Sequence, residues 1–330
     1  MSILANQSIL ITGGTGSFGR HFIPFLLKKY PDIAKIIVFS RDEHKHHNLR
    51  NQWQNEKQIK FVLGDVRDYN SVYEAFRGVD YVIHTAALKH IHIAEENPLE
   101  CIRTNILGSE NVARAAKERG IEKVVAISTD KASSPSSVYG ASKLCADKLF
   151  LAANSSDTKF VVVRYANVFG SAGSVVPFFL QKAKQGVIPI THPGMTRFSI
   201  TAEEASKLVE YALLYAMGGE ILIPKLPAFK VLDLAKAICP SCKIEYVGIR
   251  AGEKIYEEML SSTDALFTIE TEKMYIVTKE ENQEIYLKHY KAEKVAENFV
   301  YSSDKAQDFL NLAALKEKLQ NYQTENSGVA

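Results

Sequence analysis

The sequence predicts an α/β chain: a doubly wound parallel sheet with a smaller mixed α/β lobe. Three observations predict it. Short apolar runs alternate with amphipathic stretches through the first half. The runs are continuously apolar, as strands covered on both faces must be. A glycine-rich turn, Gly13-Gly14-Thr15-Gly16-Ser17-Phe18-Gly19, joins the first run to the first amphipathic stretch.

Taken in order, residues 8–11 read as a strand and 21–29 as a helix with Phe22, Phe25 and Leu26 on one face. Strands follow at 36–39 and 59–63, a helix at 71–76, a strand at 81–84, a long helix at 98–119 and a strand at 123–127. Residues 139–153 read as a helix and 160–164 as a strand. Beyond Arg164, Pro177, Pro189, Pro193, Pro224, Pro227 and Pro240 break the rhythm. Helices are predicted there at 202–216, 231–237 and 253–260, and strands at 220–223 and 244–247. The division expected is a dinucleotide-binding domain over 1–165, its sheet completed by parts of 195–225. Residues 166–330 are expected to form mainly a substrate-binding lobe, ending in a disordered tail at 324–330.

Composition narrows the function. The chain has 330 residues, 46% of them hydrophobic and 24% charged, which suits a globular fold and argues against disorder. Forty Lys and Arg face 38 Asp and Glu, so no global charge recruits nucleic acid or an anionic membrane. No apolar run approaches the ~20 residues of a spanning helix, and the N-terminus lacks signal-peptide features, so a cytoplasmic protein is expected. Cys239 and Cys242 form a Cys-x-x-Cys with no second pair, so two ordinary thiols are expected rather than a zinc site, and no metal is expected elsewhere. His44, His46 and His47 read as a solvated helix face.

The glycine turn lies between a strand and a helix, where a Rossmann-type fold binds dinucleotides. Gly13 suits the tight turn, Gly16 the approach of a pyrophosphate and Gly19 the packing of helix on strand, and Thr15, Ser17 and Phe18 complete the loop. The second strand ends in Ser40 and Arg41, with Lys45 one turn on. A hydroxyl, a guanidinium and an ammonium suit a ribose 2′-phosphate, which favours NADP over NAD; Asp42, if turned inward, would favour NAD. Asp65 and Val66 follow the third strand, where an adenine edge is expected.

Tyr139 and Lys143 are four apart on a predicted helix and share a face, so the cation can favour phenolate and make the tyrosine a base. The preceding strand ends in Thr129, Asp130 and Lys131. A hydroxyl can hold the reacting oxygen; an added acid and base beside a redox centre point to a second reaction, such as loss of water next to a carbonyl.

With these residues the chain resembles the extended short-chain dehydrogenase/reductase superfamily. Within it, the sequence is similar to nucleotide-sugar 4,6-dehydratases, above all the inverting UDP-N-acetylglucosamine type of polysaccharide and pseudaminic acid biosynthesis. The likeness runs from about Gln7 to about Leu260 and includes Ala86-Ala87-Leu88-Lys89-His90, Arg164-Tyr165-Ala166-Asn167, Thr196-Arg197-Phe198 and Arg250-Ala251-Gly252-Glu253-Lys254. Thr-Asp-Lys is specific, since dehydratases of non-acetamido hexoses usually carry Thr-Asp-Glu. Ala166, Ala172 and Ser199 depart from the family's usual residues, which leaves the sugar and the stereochemistry at carbon 5 open.

The resemblance implies a tightly bound NADP regenerated each turnover, contacted also by Ala86, Ala87, Tyr139 and Lys143. It implies Tyr139 as base at the 4-hydroxyl, Lys131 as base at carbon 5, which must titrate low to act, and Asp130 as acid for the 6-hydroxyl. Lys89, Thr129, Asn167, Arg197, Arg250 and Glu253 are the implied contacts to a UDP-sugar. Phe178, Phe179 and Phe198 suit either a uracil pocket or core packing. Relatives are multimeric, so a homo-oligomer is implied. A non-inverting dehydratase, a 4-epimerase and a non-catalytic NADP-binding regulator are the alternatives. Asp130 and Lys131 argue against the epimerase, and an intact Tyr139–Lys143 pair argues against the regulator.

Overall fold

The computed structural model describes residues 3–327 except 251, 280 and 282, with side chains described through 324. Its first half runs β1 (Ser8–Thr12), α1 (Ser17–Lys29), β2 (Lys35–Ser40), α2 (Glu43–Gln52), β3 (Ile59–Leu63), α3 (Tyr69–Ala75) and β4 (Tyr81–His84). Then come α4 (Ile91–Glu96), α5 (Pro98–Cys101), α6 (Gly108–Arg119), β5 (Lys123–Thr129), α7 (Val138–Ala153) and β6 (Lys159–Tyr165). The central strands are almost wholly apolar and buried and the helices carry one apolar face, so these strands are covered on both sides, while β3 at the sheet edge stays partly exposed.

The second half continues with α8 (Val175–Ala183), β7 (Val187–Ile190), β8 (Thr196–Phe198), α9 (Ala202–Tyr215), β9 (Ile221–Pro224) and β10 (Ala228–Lys230). It goes on through α10 (Val231–Ile238), β11 (Lys243–Tyr246), β12 (Glu258–Leu260), α11 (Ser262–Ala265), β13 (Thr268–Glu270) and β14 (Met274–Val277). It closes with α12 (Gln283–Tyr290), β15 (Glu293–Lys294), β16 (Tyr301–Ser302) and α13 (Leu312–Ser327). Among the described residues the main sheet has ten strands in the order β15-β13-β14-β9-β6-β5-β4-β1-β2-β3. From β9 to β3 it is parallel; β13, β14 and β15 add antiparallel pairs at the other end. The order reverses between β1 and β4, the crevice where such sheets hold ligands. A separate core around Val176, Phe179, Ile188, Leu234 and Leu315 holds α8, α10 and α13 together as the smaller lobe.

Several expectations change. The helix expected at 253–260 is a loop entering β12, because the carbonyls of Lys254 and Ile255 accept from Arg197. The helix expected at 98–119 is continuous but widened to a π-turn at Ile102–Leu107. The tail expected to be disordered is helical through Ser327, while 328–330 lie outside the described residues. Cys239 and Cys242 are joined as a disulfide rather than standing as two thiols. On α2, His46 is buried and hydrogen-bonded to Ser40, so only His44 and His47 are solvated. Among the described residues no helix is long and apolar enough to cross a membrane.

Candidate active site

A cleft of about 2200 Å³ runs along the C-terminal ends of the parallel strands and under the smaller lobe. Its floor is the glycine turn. Gly13 has φ +65°, and a Cβ there would stand 2.9 Å from the backbone of Ala86. Only a glycine lets the turn after β1 lie against the turn after β4. Thr15, Gly16, Ser17, Phe18, Ala86 and Ala87 line the cleft there, leaving a cradle of bare backbone at the start of α1. That cradle fits a dinucleotide pyrophosphate. Gly19 packs below it, its Cα face against Gly14.

At the end of β2, the Ser40 hydroxyl shares hydrogen bonds with Thr15 at 2.9 Å and His46 at 2.8 Å. Arg41 and Lys45 line the cleft with side chains about half exposed. Asp42 also lines the cleft, with its carboxylate engaged by its own helix. Its carboxylate caps α2 by accepting from Lys45 N at 3.0 Å, and it pairs with the Lys45 ammonium at the same distance. Asp65, expected beside an adenine, is gripped by Arg67 at 2.6 Å and lies 3.7 Å from Arg41; these partners outweigh its partial burial and hold its carboxyl below the usual range. Val66 is buried beside it.

The catalytic candidates meet where β5 ends. Asp130 and Lys131 open a single 3-10 turn, and α7 begins directly against that turn. Gly140 permits this, since a Cβ there would stand 2.4 Å from the Lys131 carbonyl. Thr129, Lys131, Tyr139 and Lys143 all line the cleft. Thr129 Oγ1 donates to Asp130 Oδ1 at 2.7 Å, and Lys131 Nζ donates to the same oxygen at 3.0 Å. Asp130 is 1% exposed, and its Oδ2 is buried without a partner.

Two electrostatic expectations are overturned. Burial pushes the Tyr139 phenol up to about 12; Lys131 and the Thr129 hydroxyl only moderate this. Lys143 therefore does not bring the phenol down in this state: its ammonium is buried, pushed below its ordinary range, and donates to Ile127 O at 2.8 Å. Lys131 does not titrate low. Burial pushes it down, but the charges of Asp130 and Glu257 reverse this and raise it above its ordinary value. Beneath Lys143, burial holds His84 neutral, down to about 3.

The expected substrate contacts divide. Lys89, Asn167, Arg197, Arg250 and Glu253 all line the cleft. Lys89 Nζ donates to Ala172 O at 3.1 Å, and Asn167 Oδ1 accepts from Lys131 at 3.3 Å. Glu253 keeps a buried Oε2 without a partner. Arg197 is 8% exposed and gives most of its donors to protein: Thr196 O, Ile255 O, Lys254 O and the Glu257 carboxylate. Phe198 packs on Tyr301 in the core and Phe179 is buried, whereas Phe178 is exposed on the cleft.

Two residues escaped the sequence reading. Glu257 is 2% exposed, lines the cleft, and lies 3.3 Å from Lys131 Nζ and 3.4 Å from Arg197 Nε. Asn105, in the π-turn, clasps the backbone of Leu88 through both amide atoms, at 2.8 and 3.0 Å, and donates to Ser142 on α7 at 2.9 Å. It ties the cleft loop after β4 to the helix bearing Tyr139. The signals were faint: a Glu in a stretch read as helix, and an Asn mid-helix, where it is unfavourable without a side-chain partner.

Comparison with known proteins gives relatives under two activity names. The sequence pattern described as polysaccharide biosynthesis protein matches residues 9–279. A UDP-N-acetylglucosamine 4,6-dehydratase (inverting) of Campylobacter jejuni is 46% identical over 311 residues, covering 90% of this chain and 92% of the relative. A UDP-glucose 4-epimerase of Rickettsia bellii is 41% identical over 332 residues, covering 97% of each. The X-ray structure of Pen from Bacillus thuringiensis matches with a TM-score of 0.89 at 34% identity, over 98% of this chain and 99% of that one.

Proposed function

Because the chain belongs to the polysaccharide biosynthesis protein family, we propose that it is a hydro-lyase, a nucleotide-sugar 4,6-dehydratase. It converts UDP-N-acetylglucosamine to a UDP-4-keto-6-deoxy-acetamido sugar with inversion at carbon 5. The observation that carries this reading is Lys131, which lines the same cleft as Tyr139 and Lys143, with Asp130 buried directly behind it 3.0 Å from its amine.

A nicotinamide dinucleotide bound in the cradle would supply the hydride acceptor and donor needed between carbons 4 and 6. The residues that would hold it are Gly13, Thr15, Gly16, Ser17, Phe18, Ser40, Arg41, Lys45, Asp65, Val66, Ala86, Ala87 and Lys143. Arg41 and Lys45 on the cleft, with Asp42 turned to its helix cap, favour NADP.

Tyr139 takes the proton of the 4-hydroxyl while Thr129 holds that oxygen. A carbonyl at carbon 4 acidifies the neighbouring carbon 5. At rest the charges around Lys131 keep it an ammonium, hydrogen-bonded to Asp130 Oδ1. One proton shift along their hydrogen bond makes a neutral amine and a carboxylic acid at once, with no exchange with solvent. The amine then removes the carbon 5 proton, and the acid protonates the departing 6-hydroxyl, which leaves as water. Afterwards Lys131 holds a proton and Asp130 lacks one, so the ion pair is restored. Reduction at carbon 6 leaves an enolate; a solvent proton adds to carbon 5 from the opposite face, which inverts it, and Tyr139 releases its proton to solvent, so the proton count closes.

Lys89, Asn167, Arg250 and Glu253 bind the UDP-sugar, with Arg250 on its diphosphate. The nucleotide sugar and dinucleotide make the cytoplasm the expected compartment. Self-association is supported by Leu99, Ile102 and Leu107, apolar and exposed along the helical segment 98–119.

A 4-epimerase is the second reading, because relatives carry that name. It needs no acid for a leaving hydroxyl, and so leaves Asp130 and Lys131 without work. Incubating the protein with UDP-N-acetylglucosamine and no added cofactor separates the two. A product lighter by one water is expected; an isomer of equal mass overturns the dehydratase. Proton NMR of the deuterated product then reads the configuration at carbon 5.

A further inference from the structure

Lys131 is held from three directions. Asp130 Oδ1 lies at 3.0 Å, Glu257 Oε1 at 3.3 Å and Asn167 Oδ1 at 3.3 Å. The three come from different places: the turn after β5, the approach to β12 and the loop after β6. Glu257 is fixed in its turn. Its backbone N–H donates to the Ser303 hydroxyl oxygen at 2.9 Å, and its Oε1 lies 3.4 Å from Arg197 Nε. Its other oxygen is buried without a partner. A buried carboxylate is costly unless paired. Here it spans the only two cations it touches among the described residues.

We propose that Glu257 is a positioning residue for Lys131: clamped by Arg197, its carboxylate holds the amine in line with Asp130 and fixes its charge in the resting enzyme. This rests on the dehydratase reading and deepens it. The groups facing Lys131 are Asp130 and Tyr139 from β5 and α7, Asn167 after β6, Arg197 on β8 and Glu257 before β12. Glu257 and Asp130 favour the ammonium; Arg197 and burial oppose it. Without Glu257 the amine is held by Asp130 and Asn167 alone. It surrenders its proton at lower pH and is less well aimed at carbon 5.

The test follows carbon 5 deuterium incorporation from UDP-N-acetylglucosamine in heavy water over a range of pD, for the full-length wild type, Glu257→Gln and Glu257→Asp. For the Gln variant, kcat is expected to fall roughly tenfold or more with KM held within about threefold, as for lost general-base alignment. Its acid limb is expected to move down by about one unit, the effect of removing one nearby opposite charge. The Asp variant keeps the charge but draws it back by one methylene, so its limb moves the same way by less; it carries the test if the Gln variant does not fold. Limbs that superimpose on wild type in the folded variants overturn the inference. A wild type that incorporates no deuterium at carbon 5 overturns the dehydratase reading, and the inference with it.

Discussion

Lys131 donates to Asp130 across 3.0 Å, so the candidate base and the candidate acid share one proton. That relationship joins the two side chains in one hydrogen-bonded unit. It also separates their roles by experiment.

Lys131→Ala removes the proposed base at carbon 5 but leaves the Tyr139 side chain and the cradle in place. Solvent deuterium at carbon 5 is expected to fall below detection, while the near-ultraviolet absorbance of a reduced nicotinamide still rises when substrate is added. Undiminished deuterium incorporation rejects Lys131 as the base.

Asp130→Asn keeps the shape and removes the proton to be given. Water loss is expected to slow by roughly 10²–10⁴-fold, the range for a lost general acid, with substrate affinity within about threefold. Calorimetric titration with UDP-N-acetylglucosamine, set beside turnover, checks this. Weakened affinity with turnover preserved would reduce Asp130 to a binding group.

On the proposed reading, dinucleotide choice rests on Arg41 and Lys45. Arg41→Ala is expected to weaken NADP binding by about tenfold, a modest loss because the guanidinium is half exposed, and to leave NAD binding unchanged. Titration of the protein freed of dinucleotide with each nucleotide reads the difference. Equal losses for both would show that Arg41 does not read the 2′-phosphate.

The Tyr139 phenol, held at about 12 by burial and eased down by Lys131, stays protonated through neutrality in the free protein. With phenolate as the proposed base, the free-enzyme rate is expected to climb as pH rises toward that value. An ultraviolet difference titration of wild type against Tyr139→Phe locates the phenol. Removing Lys131 is expected to move it higher, because a stabilising cation is lost; a downward move contradicts that attraction.

Gly140→Ala tests the approach of α7 to the Asp130–Lys131 turn. Its Cβ would stand 2.4 Å from the Lys131 carbonyl. Relief of that clash is expected to cost about 1–3 kcal/mol of stability. Deuterium incorporation at carbon 5 should fall more than substrate affinity does. Unfolding in urea measures the first, and the heavy-water assay the second. An unchanged melting midpoint and rate would show that the turn has room to yield.

What the sequence made legible is what is local. The glycine turn joins one strand to one helix, and Tyr139 and Lys143 share one helix, so spacing alone places them. Asp130 and Lys131 are neighbours in the chain. Glu257 reaches Lys131 from 126 positions away along the sequence, counted from 131 to 257, and no periodicity announces such a contact. The error at 253–260 has the same root. Its apolar and charged residues suit a helix, but its carbonyls are claimed by Arg197 from β8. The Lys131 and Tyr139 charge states were misjudged because burial and a distant carboxylate decide them, not the adjacent lysine.

The sheet's β9 side is covered by β14, which arrives from the last third of the chain. Ile221, Leu222, Ile223 and Pro224 are buried there. A chain cut short before Met274 would leave those apolar residues with open backbone along one margin, a template on which copies stack. Shortened versions made to isolate the dinucleotide half should therefore precipitate rather than fold cleanly, and solubility would return only when the missing strand is supplied.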